Sequence, residues 1–252
     1  MEGEQNKQDN SKDIILGRKI LIALSQRKST SVPFPNLLDL HRKAYAIHGE
    51  PNSGKSLLAQ DSCISVLMRG RDVVYVDSDY RFNVLGLLDR IKDVCKSRNL
   101  PSTHFKSACR NMIVQKCGTS TELQSFLSFK LRELVRTSDV GLVVVDSLTS
   151  FFWHDRYARS GWKAFYDSLW SDLEALRLEY GFTSMVTIQN LYSEQKTPHN
   201  FLHCPKVPVE SIRIRKHLEN KFQLVLESNE KIECEMHDGT LVRTDRLTST
   251  SS

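Results

Sequence analysis

Residues 49–56 read Gly49-Glu50-Pro51-Asn52-Ser53-Gly54-Lys55-Ser56. Just before them stands the apolar run Tyr45-Ala46-Ile47-His48, and just after them Leu57 to Met68 carries apolar residues at helical spacing. The order is strand, glycine-bounded loop, helix, and Gly-x-x-x-x-Gly-Lys-Ser is the full pattern of a phosphate-binding loop. Each residue type has a physical reason. The glycines let the backbone curl and aim its N–H groups inward at an anion. The helix that follows presents its N-terminus to the same charge. Lys55 is a cation with the reach for the β- and γ-phosphates of ATP, and the Ser56 hydroxyl is placed for Mg2+. Glu50, Pro51, Asn52 and Ser53 complete the loop that would wrap the nucleotide.

Outward from the loop the pattern alternates. Val73-Val74-Tyr75-Val76 reads as a second strand, Met112-Ile113-Val114 as a third, Gly141-Leu142-Val143-Val144-Val145 as a strand buried on both faces, and Ser184-Met185-Val186-Thr187-Ile188 as a fifth. Between them lie helical stretches: Val84 to Cys95 with Leu85, Leu88 and Ile91 on one face, Thr119 to about Arg136 opening on a capping box at Thr119-Ser120-Thr121-Glu122, and Ala164 to Glu179. Strand–helix alternation predicts an α/β fold with a mostly parallel central sheet. Ser211–Arg215, Phe222–Glu227 and Ile232–Met236 then follow as successive antiparallel strands, an extension at one edge. The organisation expected is a lead and linker with a short packing helix over 1–35, a core over 36–246 and a disordered tail over 247–252.

A phosphate loop that uses Mg2+ needs a second anchor, and Asp146 at the end of the buried apolar run supplies a carboxylate for it. Hydrolysis also needs a group that activates water. Asp79, after the second strand, is the natural candidate; Asp77 is its rival, since both flank Ser78. Aspartate and serine also favour turns for their own sake, which is the plainer reading of either position.

Composition narrows the field modestly. The 252 residues carry a net charge of +5, a mild bias that by itself says little about polyanionic partners. No apolar run approaches the roughly 20 residues that span a bilayer. The six cysteines include no Cys-x-x-Cys pair, so neither a zinc cluster nor a disulfide framework is expected, and Cys63 and Cys234 read as core filler.

Taken together, Gly49–Ser56, Tyr75-Val76-Asp77-Ser78-Asp79, Leu142 to Ser147 and Thr187-Ile188-Gln189 resemble the RecA-type recombinases in order and spacing. Asp77 to Phe82 and Asp146 to Arg156 are closer still to a eukaryotic recombinase paralogue of the short X-ray-repair cross-complementing branch. The resemblance runs from about Gly17 to Arg246 and is most specific up to Gln189. It implies a RecA-like P-loop core that binds ATP and Mg2+, with Asp146 as the Walker B acid. Asp79 stands where recombinases place a catalytic glutamate, and Gln189 where they place the glutamine that senses the γ-phosphate. Arg156 to Lys163 falls at the first DNA loop, and Asn190 to about Glu210 at the second. It further implies a nuclear protein that works with another recombinase paralogue and the recombinase itself on single-stranded DNA in homologous-recombination repair. The chain departs from the active recombinases in having little room for a helical domain before the core and no Phe-x-x-Ala motif; Ile20-x-x-Ala23 is a distant echo. Asp79 is also one methylene shorter than glutamate. The expected behaviour is ATP binding with slow hydrolysis, a weak DNA-dependent ATPase at most.

Two basic clusters bear on DNA. Arg156, Arg159 and Lys163 lie among Tyr157 and Trp162, the mixture of cations and aromatic rings that suits single strands. Arg213, Arg215 and Lys216 form the second, with alternation placing Arg213 and Arg215 on one strand face. The aromatic run Phe151-Phe152-Trp153 reads as core. A small-molecule kinase with the Arg156–Lys163 segment as its lid, and a scaffold stabilised by bound nucleotide, are the alternative readings of the same loop.

Overall fold

The computed structural model describes residues 38, 40, 42–189, 209–218, 220–237 and 240–244. The expectations for 1–35, for most of 190–210 and for 247–252 lie outside these residues. In chain order the elements are β1 (Ala44–Gly49), α1 (Lys55–Leu67), β2 (Asp72–Asp77), α2 (Val84–Ser97), α3 (Ser102–Arg110), β3 (Met112–Lys116) and α4 (Ser120–Ser125). A π-turn over Phe126–Lys130 joins α4 to α5 (Leu131–Thr137), and β4 (Val140–Asp146), α6 (Phe152–Ala158), α7 (Trp162–Tyr180) and β5 (Thr183–Gln189) follow. The last strands are β6 (Glu210–Leu218), β7 (Lys221–Leu226), β8 (Lys231–His237) and β9 (Thr240–Arg243).

The strands form one sheet in the order β3-β2-β4-β5-β1-β6-β7-β8-β9. From β3 to β6 every pairing is parallel; from β6 to β9 every pairing is antiparallel. The expected α/β architecture with an antiparallel C-terminal extension is therefore what forms. The central strand β4 is buried along its whole length, the price in polarity that a strand covered on both faces demands of its sequence. Ala46, Val74, Val76, Val143, Val145, Val186 and Ile188 share one face with the apolar side chains of α4, the π-turn, α5 and α7. Alternation turns Tyr45, Ile47, Tyr75, Val144, Met185 and Thr187 to the opposite face, where α1 lies. That face continues into the extension, because Gly54 at the start of α1 borders Ile214 and Phe222, and Asp61 of α1 accepts the Leu241 N–H at 3.0 Å. Asp61 also pairs with Arg90 of α2, so one buried carboxylate ties two helices and the last strand together. Burial lowers the Arg90 guanidinium to about 10.

Several local expectations need correction. On α2 the buried residues are Leu87, Ile91 and Cys95, an i, i+4, i+8 stripe, whereas Leu85 is 73% exposed. The i, i+3, i+6 reading of Leu85, Leu88 and Ile91 drifts across the helix surface, and only the straighter row is buried. Helix α3 and strand β9 were not expected from the sequence. The capping box at Thr119 is half realised: Thr119 Oγ1 accepts the Glu122 N–H at 3.1 Å, while Glu122 reaches past the cap to the Gly118 N–H at 2.8 Å. Arg156 to Lys163, expected as a loop, is the end of α6, a short link and the start of α7. Asp155 explains that order, since its buried carboxylate accepts from Ser120 and from Tyr166, each at 2.9 Å, and pins α6 between α4 and α7.

Candidate nucleotide-binding site

The loop that opened the sequence leaves β1 at Gly49 and enters α1 at Lys55. Both of its glycines stand where a side chain is not accommodated. Gly54 stands at φ 96°, a left-handed conformation that side chains resist. A Cβ at Gly49 would lie 2.4 Å from Ser53 Oγ and 2.7 Å from the Ile214 carbonyl, so the strand end has no room for a side chain. Asn52 also takes positive φ, at 60°, which its short polar side chain tolerates. Glu50, Pro51 and Asn52 are exposed, Ser53 is buried, and Ser56 is half-buried in the first turn of α1.

Lys55 is only 8% exposed. Its Nζ donates to the carbonyls of Gly49 at 2.9 Å and Glu50 at 2.7 Å, so the side chain curls back over its own loop. Burial lowers its pKa, and the carboxylates of Asp146, Asp79 and Glu50 oppose that shift. Burial disfavours the Lys55 ammonium, and the neighbouring carboxylates keep it charged. Ser53 Oγ is buried with no hydrogen-bond partner. An orphaned hydroxyl inside a glycine-bounded loop, beside a desolvated lysine and a helix N-terminus, fits a phosphate chain.

Asp146 ends β4 and is buried. Tyr75 Oη donates to its Oδ2 at 2.5 Å, and Thr187 Oγ1 donates to its Oδ1. A carboxylate has about four lone-pair sites, so these two hydroxyls fix its plane and still leave acceptor capacity for a metal-bound water. Sequence reasoning missed Tyr75 and Thr187. Their signal was a polar group within an apolar strand, but only the order β2-β4-β5 sets both strands beside Asp146.

The structure separates the two rival aspartates. Asp77 is buried and accepts the N–H groups of Arg81 at 3.1 Å and Phe82 at 3.2 Å, which is turn chemistry. Asp79 is half-buried; its Oδ1 accepts from Ser150 Oγ, and its Oδ2 lies 3.4 Å from Gln189 Nε2. Gln189 ends β5 in register with Gly49. The parallel pairing of β1 and β5 thus places residues 140 positions apart in the chain at one edge of the sheet. Lys55, Asp146, Asp79 and Gln189 converge there.

The basic residues lie elsewhere and are not alike. Arg156 is exposed, with its guanidinium 5.5 Å from the Trp153 ring; Lys163 is exposed, with its ammonium 5.5 Å from the Trp162 ring. Arg159 instead turns inward, 3.9 Å from the Phe165 ring and 3.5 Å from Thr121 Oγ1. A half-open cleft of about 550 Å³ lies beside it, between α4 and α6, lined by Thr119, Thr121, Phe151, His154, Ala158 and Arg159. The aromatic run divides: Phe152 is core, Phe151 packs against the core, and Trp153 is 46% exposed. Arg213 and Arg215 project from the open face of β6, while Ile212 and Ile214 turn inward. Lys216, in register with buried Phe222, falls on the opposite face, so the second cluster is not one patch. Cys63 and Cys234 are buried, and no helix among the described residues is long and apolar enough to cross a membrane.

Residues 34–189 match the family model described as AAA domain. The matched stretch ends at Gln189, so the antiparallel extension lies beyond it. The chain is also similar to DNA repair protein XRCC2 of Mus musculus, 27% identical over 192 residues, which cover 69% of this chain and 68% of that protein. The resemblance to a recombinase paralogue of the short X-ray-repair cross-complementing branch is thereby borne out.

Proposed function

The chain belongs to the AAA domain family, and from that premise we propose that it is an ATP-binding recombinase paralogue of DNA repair. In this reading it pairs with another paralogue in the nucleus and assists recombinase filaments on single-stranded DNA during homologous recombination. The observation that carries the nucleotide part is the register of β1 with β5, which sets Gln189 beside Gly49 while Lys55 faces Asp146 and Asp79. The similarity to a DNA repair protein supports the biological part.

Residues take the following roles. Gly49 to Ser56 hold the phosphates, with Ser53 Oγ as a free donor inside the loop. Lys55 leaves its loop carbonyls for the β- and γ-phosphate oxygens. Ser56 and Asp146 would hold Mg2+, which would supply neutralisation of phosphate charge. Gln189 reads the γ-phosphate end of the site. Asp79 orients the attacking water and accepts its proton. Its short reach and its bond to Ser150 keep turnover slow, since a misplacement of about 1 Å costs on the order of a hundredfold in rate. Arg156 and Lys163, each beside an aromatic ring, supply phosphate and stacking contacts for a single strand.

The test is nucleotide binding followed by turnover in the intact chain. ATP is expected to bind in the wild type and to bind at least about tenfold more weakly in Lys55→Ala, the loss of about 1.4 kcal/mol. Turnover is expected to be slow and raised by single-stranded DNA. Stimulation by a small-molecule acceptor and not by DNA would overturn the paralogue reading in favour of a kinase.

A further inference from the structure

The chain leaves β2 at Asp77 and enters α2 at Val84 through the turn Ser78-Asp79-Tyr80-Arg81-Phe82. Both ends of that turn are fixed. The Ser78 N–H donates to the Asp146 carbonyl at 2.9 Å. The Arg81 and Phe82 N–H groups donate to the Asp77 carboxylate, and such charge-assisted bonds are stronger than neutral ones. Between them Tyr80 stands at φ 57°, in the left-handed region. Glycine adopts that region freely, whereas a side chain there crowds Cβ against the backbone and costs free energy. A bulky residue in it is an outlier that its surroundings have to hold.

The surroundings are the end of β3. Lys116 is in register with Asp77, so the ends of the two strands lie side by side. The Tyr80 ring crosses from one to the other. The Lys116 ammonium lies 5.6 Å from its centre. The Tyr80 hydroxyl lies against Gly118, where a Cβ would meet Oη at 2.8 Å and Cζ at 3.7 Å. Gly118 does not take positive φ, so its lack of a side chain finds its reason in the space that the tyrosine occupies. This seat is firm: the Gly118 N–H donates to Glu122 at 2.8 Å, and the Cys117 N–H donates to the Asp77 carbonyl at 3.1 Å. Tyr80 remains 59% exposed, so the ring is held by this strip of contact and the nearby cation, not by burial in a core.

Asp79 is the residue between. Ser78 before it is bonded to β4, and Tyr80 after it sets the direction of the chain. Its carboxylate reaches Gln189 Nε2 at 3.4 Å across the end of the sheet. Relaxation of residue 80 to right-handed or extended backbone would rotate the peptide between Asp79 and Tyr80 and carry that carboxylate away from Gln189.

We propose that Tyr80 is a positioning residue: its ring, seated on Lys116 and Gly118, holds the left-handed turn that points the Asp79 carboxylate at Gln189. The pose needs no nucleotide; its use in activating water rests on the ATP reading above.

The side-chain amide resonance of Gln189, read by NMR in the isotope-labelled intact chain without nucleotide, tests it. Gln189→Glu assigns that signal by removing it, and Asp79→Ala defines where it lies when the Asp79 carboxylate is gone. In Tyr80→Ala the signal is expected to travel at least about half of the way to the Asp79→Ala position, because the pose it reports is lost in most molecules. Tyr80→Phe, which keeps the ring, leaves it near the wild-type position. Gly118→Val fills the seat without touching the turn. It moves the signal the same way and adds little to Tyr80→Ala, as expected of two changes to one contact. In the Asp79→Ala background Tyr80→Ala is expected to move the signal no further. A wild-type position in Tyr80→Ala, or in Gly118→Val where the alanine variant does not fold, overturns the proposal. A further shift in the Asp79→Ala background overturns it as well, because the ring would then act on Gln189 directly. A chain that gives the expected shifts but binds no fluorescent ATP analogue keeps the positioning role and overturns the ATP reading alone.

Discussion

Tyr75 and Tyr166 are buried phenols that donate to buried carboxylates, Asp146 and Asp155 respectively. Burial first, and the neighbouring carboxylate second, raise both above the ordinary value of 10.0. Above that pH the unfolded chain loses phenolic protons that the folded chain keeps. Folding stability contributed by each tyrosine is complete below pH 10 and falls as pH rises, by up to about 1.4 kcal/mol per pH unit per group. Tyr166→Phe removes one such slope. At pH 9 the variant is expected to be less stable by about 1.5–3 kcal/mol, because among the described residues Asp155 keeps Ser120 alone as a hydrogen-bond partner. At pH 11 the gap to wild type narrows by about 1.4 kcal/mol. Urea unfolding at the two pH values measures it, and an unchanged gap refutes the assignment. The same physics bears on the site: Asp146, fixed by Tyr75 and Thr187, is presented as a rigid acceptor.

Helix α2 shows how an element chooses its face. Leu87, Ile91 and Cys95 are buried, and Leu85 is left in solvent although both leucines look alike in the sequence. Leu87→Ala is expected to cost about 2–5 kcal/mol and Leu85→Ala less than about 0.5 kcal/mol, by thermal or urea unfolding. Equal effects would mean the stripe is misassigned. The other elements follow sheet logic. Strand β4 was legible because seven consecutive buried positions leave no choice but an apolar run. Strand β3, at the edge and only partly buried, was legible from three β-branched or apolar residues and extends two residues further. Strand β9 was not legible, since four residues of mixed polarity acquire their place only by pairing with β8. The helical form of Arg156 to Lys163 was hidden for a similar reason: Asp155 is an ordinary acidic residue until Ser120 and Tyr166, from two other helices, close on it.

For the molecule as a whole, the sheet separates two kinds of work. Its phosphate-loop edge gathers Lys55, Asp146, Asp79 and Gln189, and α6 with the start of α7 presents Arg156 and Lys163 outward. Replacing Arg156, Arg159 and Lys163 together by uncharged residues is expected to weaken single-strand binding and to reduce the slope of log K against log salt by about 1–2, the lower end if Arg159 stays committed to Phe165. Fluorescence anisotropy at several salt concentrations measures the slope, and an unaltered slope would remove α6 from the DNA reading. The sequence by itself determined the phosphate loop, the alternation of strand and helix, and Asp146 at the end of a buried run. Those signals are contiguous or periodic, so a few neighbouring residues contain them. It also placed Asp79 and Gln189 at strand ends, but left Asp77 as a rival and gave Ser150, Tyr75 and Thr187 no role. Only the tertiary structure decided these, because β2, β4, β5 and β1 lie side by side in an order unlike their order in the chain. A carboxylate becomes a turn cap or a neighbour of Lys55 according to which strand end faces it, and that neighbour is set by the crossovers of the sheet.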